Sequence, residues 1–526
     1  MVESLYGSST YAWEALRQMR QWDDDEAMVS DDRRFTYAEF RRGVLDMARA
    51  LWRHGIRPGQ TVGIYAYNPP ESLFMQLGAH LMGVRTAWVA PTAPLRFRND
   101  FIRLAGIDAF VYEVDTDNFG AEMAKVAAPL PIMCFGAAGA GPDLTAVTSD
   151  ISDESLPFDP TRVPVEPSSL FQTGGTTGLP KLVHHRQHFF ETLRGLADAY
   201  RTSGAPRLRH LLPSGTWHVS AQTAAFITLF SGGTLVLQIG VENELFLKTI
   251  AEQRVNSTLL MPAQLYDLLD DPRLASADTS SLQTLSISGG PAAPARLEQA
   301  IERFGPVIRL VYGMSEFPML TAQQNLVPDP VHPDRLASCG VPYGDAKIEI
   351  RDADGRPLAT GEAGTIWVSG SMAMSEYFGL PSLTSTTLVD GWLNTGDVGK
   401  LDGDGYLYIV DREKDMIITG TGAANVFCRP VEDVLLAHPS VRAAAVVGVP
   451  DERTGERVHA VVVAAPGSDV TGDELRQYAV GQLGFVWSPK SVEFVDELPL
   501  TASGKVDKKL LRARHVEASR AESVPA

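Results

Sequence analysis

Apolar positions recur along the chain with two periods, and the alternation between them predicts the fold class. From Thr36 onward Phe40, Val44, Met47, Ala48 and Leu51 fall three or four residues apart, the spacing of one helix face. Thr36-Tyr37-Ala38-Glu39 opens this stretch as a capping box, and Gly55 closes it as the residue beyond the C-terminus. Residues 61–66 (TVGIYA) and 84–89 (VRTAWV) read as buried strands, with a helical stretch from Pro70 to Met82 between them. Strand-like runs at 234–238, 258–261 and 284–288 each adjoin a helical pattern. Strand–helix–strand units of this kind predict parallel sheets covered by helices. From Lys347 the texture changes to short alternating strands with DG and GE turns (KIEIRDADGRPL, GTIWVSG, YLYIVDR). After Asp411 a compact α/β unit begins and ends in a basic stretch. The expectation is an α/β protein. A large N-terminal domain of parallel α/β sheets, residues 1–413, includes a β-rich subdomain at about 340–413, and residues 414–526 form a small mobile C-terminal α+β domain.

Length and charge narrow the partner classes. At ~150 residues per domain, a chain of 526 residues makes two to four domains. Basic residues number 46 and acidic ones 64, a net charge of −18. That field repels polyanions and excludes a general nucleic-acid or anionic-membrane binder. It leaves room for one small anion received by a local cluster of cations and donors. Three cysteines (Cys134, Cys339 and Cys428) make no disulfide framework and show no metal-ligand spacing, so they read as inert thiols in a reducing compartment. The N-terminus shows no secretory signal, and the longest apolar runs, such as AAAVVGV at 443–449, are too short for a membrane span. A cytoplasmic protein is expected. The acidic run at residues 23–26 reads as a solvated face.

The strongest local chemistry lies in SSLFQTGGTTGLPKLV, residues 168–183. An apolar pair feeds into Thr173-Gly174-Gly175-Thr176-Thr177-Gly178, and Lys181 follows. Glycines let the backbone approach an anion, each bare N–H is a donor, threonine hydroxyls add donors and the lysine adds charge. Such a loop suits a polyphosphate. It is not a P-loop, because Leu179 and Pro180 precede the lysine and Leu182 follows it. Other signals carry less. His184, His188 and Glu191, with His185 beside them, have the i, i+4, i+7 spacing of a helical metal site but match no standard zinc pattern; covering the phosphate loop is the plainer role. Gly420-x-Gly422-x-x-Asn425 falls short of a dinucleotide fingerprint, and residues 313–317 fall short of a nucleophile elbow at the fifth position.

Further motifs follow in order: Tyr312-Gly313-Met314-Ser315-Glu316, Asn394-Thr395-Gly396-Asp397, residues 408–415 (YIVDREKD), and Thr501-Ala502-Ser503-Gly504-Lys505. Together with the Gly/Thr loop, these segments resemble the core motifs of the adenylate-forming superfamily: acyl- and aryl-CoA synthetases, peptide-synthetase adenylation domains and firefly luciferase. The resemblance runs from the helix at Thr36 to Lys505 and implies an ATP- and Mg²⁺-dependent ligase. It implies that Thr173, Gly174, Gly175, Thr176, Thr177 and Lys181 hold the β- and γ-phosphates of ATP. Tyr312 stacks on adenine, with Gly313, Ile409 and the Ser288-Gly289-Gly290-Pro291 segment flanking it. Ser315 touches the α-phosphate and Glu316 holds Mg²⁺. Asp397 takes the ribose hydroxyls with Arg412 nearby. Lys505 reaches in from the small domain to bridge the substrate carboxylate and the α-phosphate, and Lys414 is the hinge. Trp217, His218, Val311 and Met314 line the acid pocket. The residue types suit the chemistry, since a carboxylate attacking an α-phosphorus brings two anions together and only cations and preorganised donors lower that barrier.

Departures from the family concern the second half-reaction. The segment from Asp415 to Asn425 is two residues longer than usual, Cys428 stands where proline is common, and Pro430 stands where glutamate is common. Residues 485–489 (FVWSP) replace the usual Y-K-x-P, and Ser214-Gly215-Thr216 looks like a local insertion before the Trp217-His218 pair. The leading expectation is activation of a small-molecule carboxylic acid as acyl-AMP, with transfer to CoA. The GGTTGLPKLV string resembles aryl-acid-activating members. One alternative keeps AMP activation but loads a carrier protein, or activates nitrite to diazotise an aryl amine. Another, from a different class, is a nucleotide-binding pseudoenzyme.

Overall fold

The computed structural model describes residues 9–91, 95–114, 119–137, 139–148, 150, 153–173, 181–323, 326–412, 415–419, 424–451, 455–501 and 505–522. Their strands form four sheets. A seven-stranded sheet runs in the order 376–377, 181–186, 168–173, 85–88, 61–65, 109–113, 132–135, and its last five strands are mutually parallel. A nine-stranded sheet runs 341–342, 317–323, 308–314, 284–287, 257–260, 209–212, 234–237, 26–30, 33–36, with a parallel centre and antiparallel edges.

Both sheets are covered on both faces, as parallel sheets require. One continuous apolar core joins them through helices Tyr37–Arg53, Pro70–Leu81, Gln187–Thr202 and Val219–Phe230. A second core lies on the far face of the nine-stranded sheet, under helices Asn243–Gln253, Pro262–Leu269 and Pro294–Phe304. A third covers the far face of the seven-stranded sheet under Leu95–Leu104 and Phe119–Ala127. The result is alternating helix and sheet layers, with strand C-termini opening into loops where ligands bind in such folds.

The local signals hold where periodicity was clear. Thr36 caps helix Tyr37–Arg53 with the reciprocal Glu39 bonds of a capping box, and Gly55 follows at a φ of 87°. The strand-like runs at 61–66, 84–89, 234–238 and 284–288 contain strands Thr61–Tyr65, Arg85–Trp88, Thr234–Leu237 and Thr284–Ile287, and the run at 258–261 overlaps strand Ser257–Leu260, which starts one residue earlier.

The texture change at Lys347 is a five-stranded antiparallel sheet of 347–351, 364–369, 392–401, 388–389 and 407–412. It is not closed on itself. Strand Glu376–Tyr377 leaves it to pair with Lys181–Arg186 of the seven-stranded sheet. The fourth sheet belongs to the small C-terminal domain: 424–426, 417–419, 455–464 and 441–451, with 491–494 parallel to 455–464. Helices Cys428–Leu436 and Gly472–Trp487 pack on one face and Lys508–Glu522 on the other.

The helical reading of His184, His185, His188 and Glu191 is corrected. Residues 181–186 are a strand, and the helix starts at Gln187. His184 and His185 therefore point to opposite faces: His184 Nδ1 meets Glu376 at 2.9 Å and His185 Nε2 meets the Ser315 carbonyl at 2.8 Å. The paired hydrogen-bonding needs of an antiparallel edge override the helix-like spacing. The acidic run at 23–26 is partly tied down: Asp23 pairs with Arg41 at 2.5 Å and Asp25 with Arg207 at 2.9 Å. No helix among the described residues is long and apolar enough to cross a membrane.

Candidate active site

The site residues stand at the C-terminal ends of parallel strands or beside them. Thr173 ends strand Ser168–Thr173 and is in register with Lys181, which begins the antiparallel return strand. Gly174, Gly175, Thr176 and Thr177, between those two ends, lie outside the described residues. The Lys181 ammonium sits 4.9 Å from the ring centre of Tyr377, and the Tyr377 hydroxyl donates to Glu316 Oε1 at 2.7 Å. Burial, and then the adjacent Glu316 carboxylate, push that hydroxyl's pKa up, so it stays a donor.

Glu316 is buried, and its carbonyl accepts from Met374 N at 2.8 Å. The neighbouring Ser315 carbonyl accepts from His185 Nε2. Burial pushes the His185 imidazole down to about 4, so it remains neutral with its proton on the nitrogen facing Ser315. Gly313 is required by close approach: a Cβ there would lie 2.1 Å from the Pro318 carbonyl oxygen. This hairpin places Glu316 against Tyr377.

Strand Ile308–Met314 also carries Val311, Tyr312 and Met314, and Tyr312 and Met314 pack against the central core. The Tyr312 hydroxyl donates to Asp397 Oδ2 at 2.5 Å. Burial and the Asp397 charge drive its pKa well up. Asp397 reaches this position through a bulge. Thr365 pairs with Val398 but Trp367 pairs with Asn394, so three residues face one across the ladder. Gly396 takes a φ of 71° there, Asn394 Oδ1 accepts from its N–H at 2.8 Å, and Thr395 Oγ1 accepts from Asp397 N at 3.1 Å. Bulges re-aim a side chain in this way. Arg412 is in register opposite Asp397.

Gly289, Gly290 and Pro291 follow strand Thr284–Ile287, facing the Met261-Pro262 turn after the neighbouring strand. Gly289 has a φ of 91°, open to glycine at no cost.

Trp217 and His218 precede helix Val219–Phe230 at the end of strand Arg209–Leu212. Trp217 packs edge-on against Tyr67 at 6.0 Å. The inserted Gly215 explains how that indole fits, because a Cβ there would fall 2.2 Å from its ring carbons. His218 is pushed down to about 4, first by burial and then by the Lys505 charge. The sequence-distant lysine is therefore within electrostatic reach of the aromatic–histidine pair.

Lys414 lies outside the described residues, but contacts on either side of it are clear. Asp411 accepts from the backbone N–H of Cys428. Arg429, whose charge is buried, donates to the Ile409 carbonyl at 3.2 Å. Arg442 pairs with Asp267 at 2.8 Å. Cys134 and Cys428 are buried and Cys339 is half-buried, and burial raises all three thiols.

This geometry joins a threonine–lysine strand pair, a buried glutamate, a tyrosine–aspartate pair and a lysine from the C-terminal segment. The sequence profile of the AMP-binding enzyme family matches residues 16–378, and that of the AMP-binding enzyme C-terminal domain matches 430–505. The chain belongs to the AMP-binding enzyme family. It is an adenylate-forming, ATP-dependent and AMP-forming ligase, resembling acyl- and aryl-CoA synthetases. It is 35% identical over 516 residues to a medium/long-chain-fatty-acid–CoA ligase of Mycobacterium tuberculosis, covering 95% of this chain and 89% of that one. It is 35% identical to a feruloyl-CoA synthase of an Amycolatopsis species, covering 91% and 94%. Among solved structures, the amide bond synthetase McbA of Marinactinospora thermotolerans superposes with a TM-score of 0.84 at 32% identity, covering 96% and 99%.

Several site-supporting residues carry no sequence signal of their own. Tyr377 and His185 act through contacts between distant segments. So does Asn68, whose Oδ1 accepts from Thr216 N at 2.7 Å and whose Nδ2 donates to the Ser214 carbonyl at 2.9 Å, pinning the inserted loop. Its φ of 121° is unusual for a non-glycine residue and invisible in the sequence.

Proposed function

We propose that the protein activates a small-molecule carboxylic acid as its acyl-AMP and then transfers the acyl group to the thiol of CoA; the GGTTGLPKLV string, similar to that of aryl-acid-activating members, makes an aromatic acid the first to test. The carboxylate oxygen bonds to the α-phosphorus of ATP and the bond to pyrophosphate breaks. The CoA sulfur then bonds to the acyl carbon and AMP leaves. The observation that carries this reading is the 35% identity over 516 residues to a CoA ligase, and the charge of Lys505 felt at His218 is in keeping with it.

In this reading Thr173, Gly174, Gly175, Thr176, Thr177 and Lys181 hold the β- and γ-phosphates, with Ser315 on the α-phosphate. Tyr312, Gly289, Gly290, Pro291, Gly313 and Ile409 frame adenine, while Asp397 and Arg412 hold the ribose. Trp217, His218, Val311 and Met314 shape the acid pocket. Lys505 bridges the two reacting anions, and residues 414–526 rotate about Lys414 between steps. The buried Glu316 carboxylate is a hard oxygen donor of the kind Mg²⁺ takes, and the Tyr377 hydroxyl holds one of its oxygens. When bound, Mg²⁺ offsets the charge of the polyphosphate. Cytoplasmic residence fits these substrates.

The test is pyrophosphate release with ATP across a panel of aryl and alkyl acids, with products identified by mass in the presence and absence of CoA. Lys505→Ala is expected to abolish acyl-AMP formation while supplied acyl-AMP still reacts with CoA. Equal loss of both steps overturns the role of Lys505, and no pyrophosphate release with any acid overturns the reading.

A different acceptor is the second reading, an amine or a carrier-protein thiol. It is favoured by full-length likeness to an amide bond synthetase and by the FVWSP segment, where the Phe485 ring is 68% exposed and carries the Lys490 ammonium 3.7 Å from its centre. Amines, a carrier protein and nitrite belong in the same product panel, and CoA thioester formed from a cognate acid in preference to every other product removes this reading.

A further inference from the structure

The small domain gathers a trio of metal-ligating side chains that the adenylation chemistry does not use. His459 lies in strand Gly455–Ala464, and the parallel strand Ser491–Phe494 runs beside it with His459 in register with Ser491. His515 comes from the last helix, Lys508–Glu522, and its ring centre lies 4.4 Å from that of His459. One ligand atom from each of His459, Glu493 and His515 lies within 4.8 Å of the other two. Among the described residues no other group of histidine, cysteine and carboxylate side chains converges in this way.

The arrangement has the features of a built site. His459 is 3% exposed, and its Nδ1 is held by Ser491 Oγ at 2.8 Å. That bond orients the ring so that Nε2 faces Glu493 Oε2 at 3.4 Å. A hydrogen bond on one imidazole nitrogen is how proteins aim the other at a metal. Glu493 is half-exposed, which leaves a path from solvent and an open coordination position. The ligand atoms of a tetrahedral zinc site sit about 3.3 Å apart, given bonds of about 2.0–2.1 Å. The His459–Glu493 pair already meets that spacing, and closure requires His515 to approach. The Arg457 guanidinium stands against closure, for it lies 3.3 Å from His515 Nε2.

We propose that His459, Glu493 and His515 bind one borderline divalent cation of the zinc, cobalt or nickel class. Two imidazoles and one carboxylate with a free position suit such ions, whereas Mg²⁺ takes oxygen ligands. The bound cation ties strand Ser491–Phe494 to helix Lys508–Glu522, the two elements that flank the segment holding Lys505. The site thereby braces the stretch of chain that carries that lysine.

The test uses the untagged full-length protein, stripped with a chelator and free of ATP. Zn²⁺ is titrated by calorimetry, and Co²⁺ by the visible absorption of its tetrahedral complex. One equivalent per chain is expected, undisturbed by millimolar Mg²⁺. His515→Ala and Glu493→Gln are expected to weaken binding at least tenfold, and Ser491→Ala by about tenfold, the usual effect of losing an orienting partner. Arg457→Gln is expected to tighten it. Metal-free melting curves of the His515→Ala and Glu493→Gln variants, matched to wild type, exclude misfolding as the cause; a variant that melts early is replaced by His515→Gln. No saturable binding, or binding that survives loss of His515, overturns the site.

Discussion

The hydroxyl of Tyr377 donates to Glu316 Oε1 at 2.7 Å while its ring lies under the Lys181 ammonium at 4.9 Å. One side chain thus supports a carboxylate and a cation that come from different sheets. Tyr377→Phe separates the two roles, since the ring stays and the hydroxyl goes. The Mg²⁺ concentration for half-maximal pyrophosphate release is expected to rise by about 10- to 100-fold, the range for lost outer partners of metal ligands. An unchanged Mg²⁺ dependence, with the fold intact, would show that Tyr377 does not position Glu316.

Gly215→Ala places a methyl group 2.2 Å from the Trp217 indole, which has to shift. Overpacking of this kind costs about 1–3 kcal/mol. The KM for the acid and the ranking among acids are expected to change, with the KM for ATP held. Steady-state kinetics on two acids of different size check this, and an equal change for acid and ATP argues for general damage instead.

Arg429 buries its charge next to the Ile409 carbonyl and Asp433. Burial raises the Asp433 carboxyl to about 6 despite the arginine. Arg429→Met removes a charge-assisted hydrogen bond between the small domain and strand Leu407–Arg412, a loss of about 1.5–3 kcal/mol. Acyl-AMP formation is expected to slow by ten-fold or more. Conversion of supplied acyl-AMP should slow less, because that step uses a different domain orientation in the proposed cycle. Rates of the two half-reactions, measured separately, decide the matter.

Burial holds His80, His185, His210 and His218 in the neutral form. Burial pushes His185, His210 and His218 down to about 4 and His80 to about 3. In the unfolded chain they titrate near 6.5. Between those values the unfolded chain binds more protons, so stability rises with pH across the window and is lost as pH falls from about 6.5 toward 4. Each group contributes at most about 1.4 kcal/mol per pH unit. Urea midpoints at pH 7.5, 6 and 5 are expected to fall in that order. His210→Asn, which cannot titrate, should show a shallower decline; an equal slope would place the acid sensitivity elsewhere.

The helix at Tyr37–Arg53 and its cap were legible because every determinant lies within twenty residues: Thr36, Glu39, an apolar stripe and Gly55. Thr173 and Lys181 were legible because a loop that receives an anion needs bare N–H groups, hydroxyls and a cation in one short string, whereas Tyr312, Glu316 and Asp397 were legible through the resemblance of their motifs to those of the adenylate-forming superfamily. The His184–Glu191 spacing misled for a physical reason. Periods of 3.6 and 2 overlap over a few residues, and pairing with Ser168–Thr173 on one side and Glu376–Tyr377 on the other selected the strand.

The amino-acid sequence alone determined the layered α/β class, the order of the adenylate-forming motifs and the identity of the cations and carboxylates. These follow from local periodicity, from side-chain chemistry and from the resemblance of the motifs to a known superfamily. Tertiary structure alone decided which partner each of them meets. Tyr377 reaches Glu316, His185 reaches Ser315, Asn68 pins the loop before Trp217, Lys505 comes within reach of His218, and His515 meets His459. Each joins segments that only chain folding brings together. A contact of that kind depends on where two backbones pass each other, and no spacing along one stretch of chain encodes it.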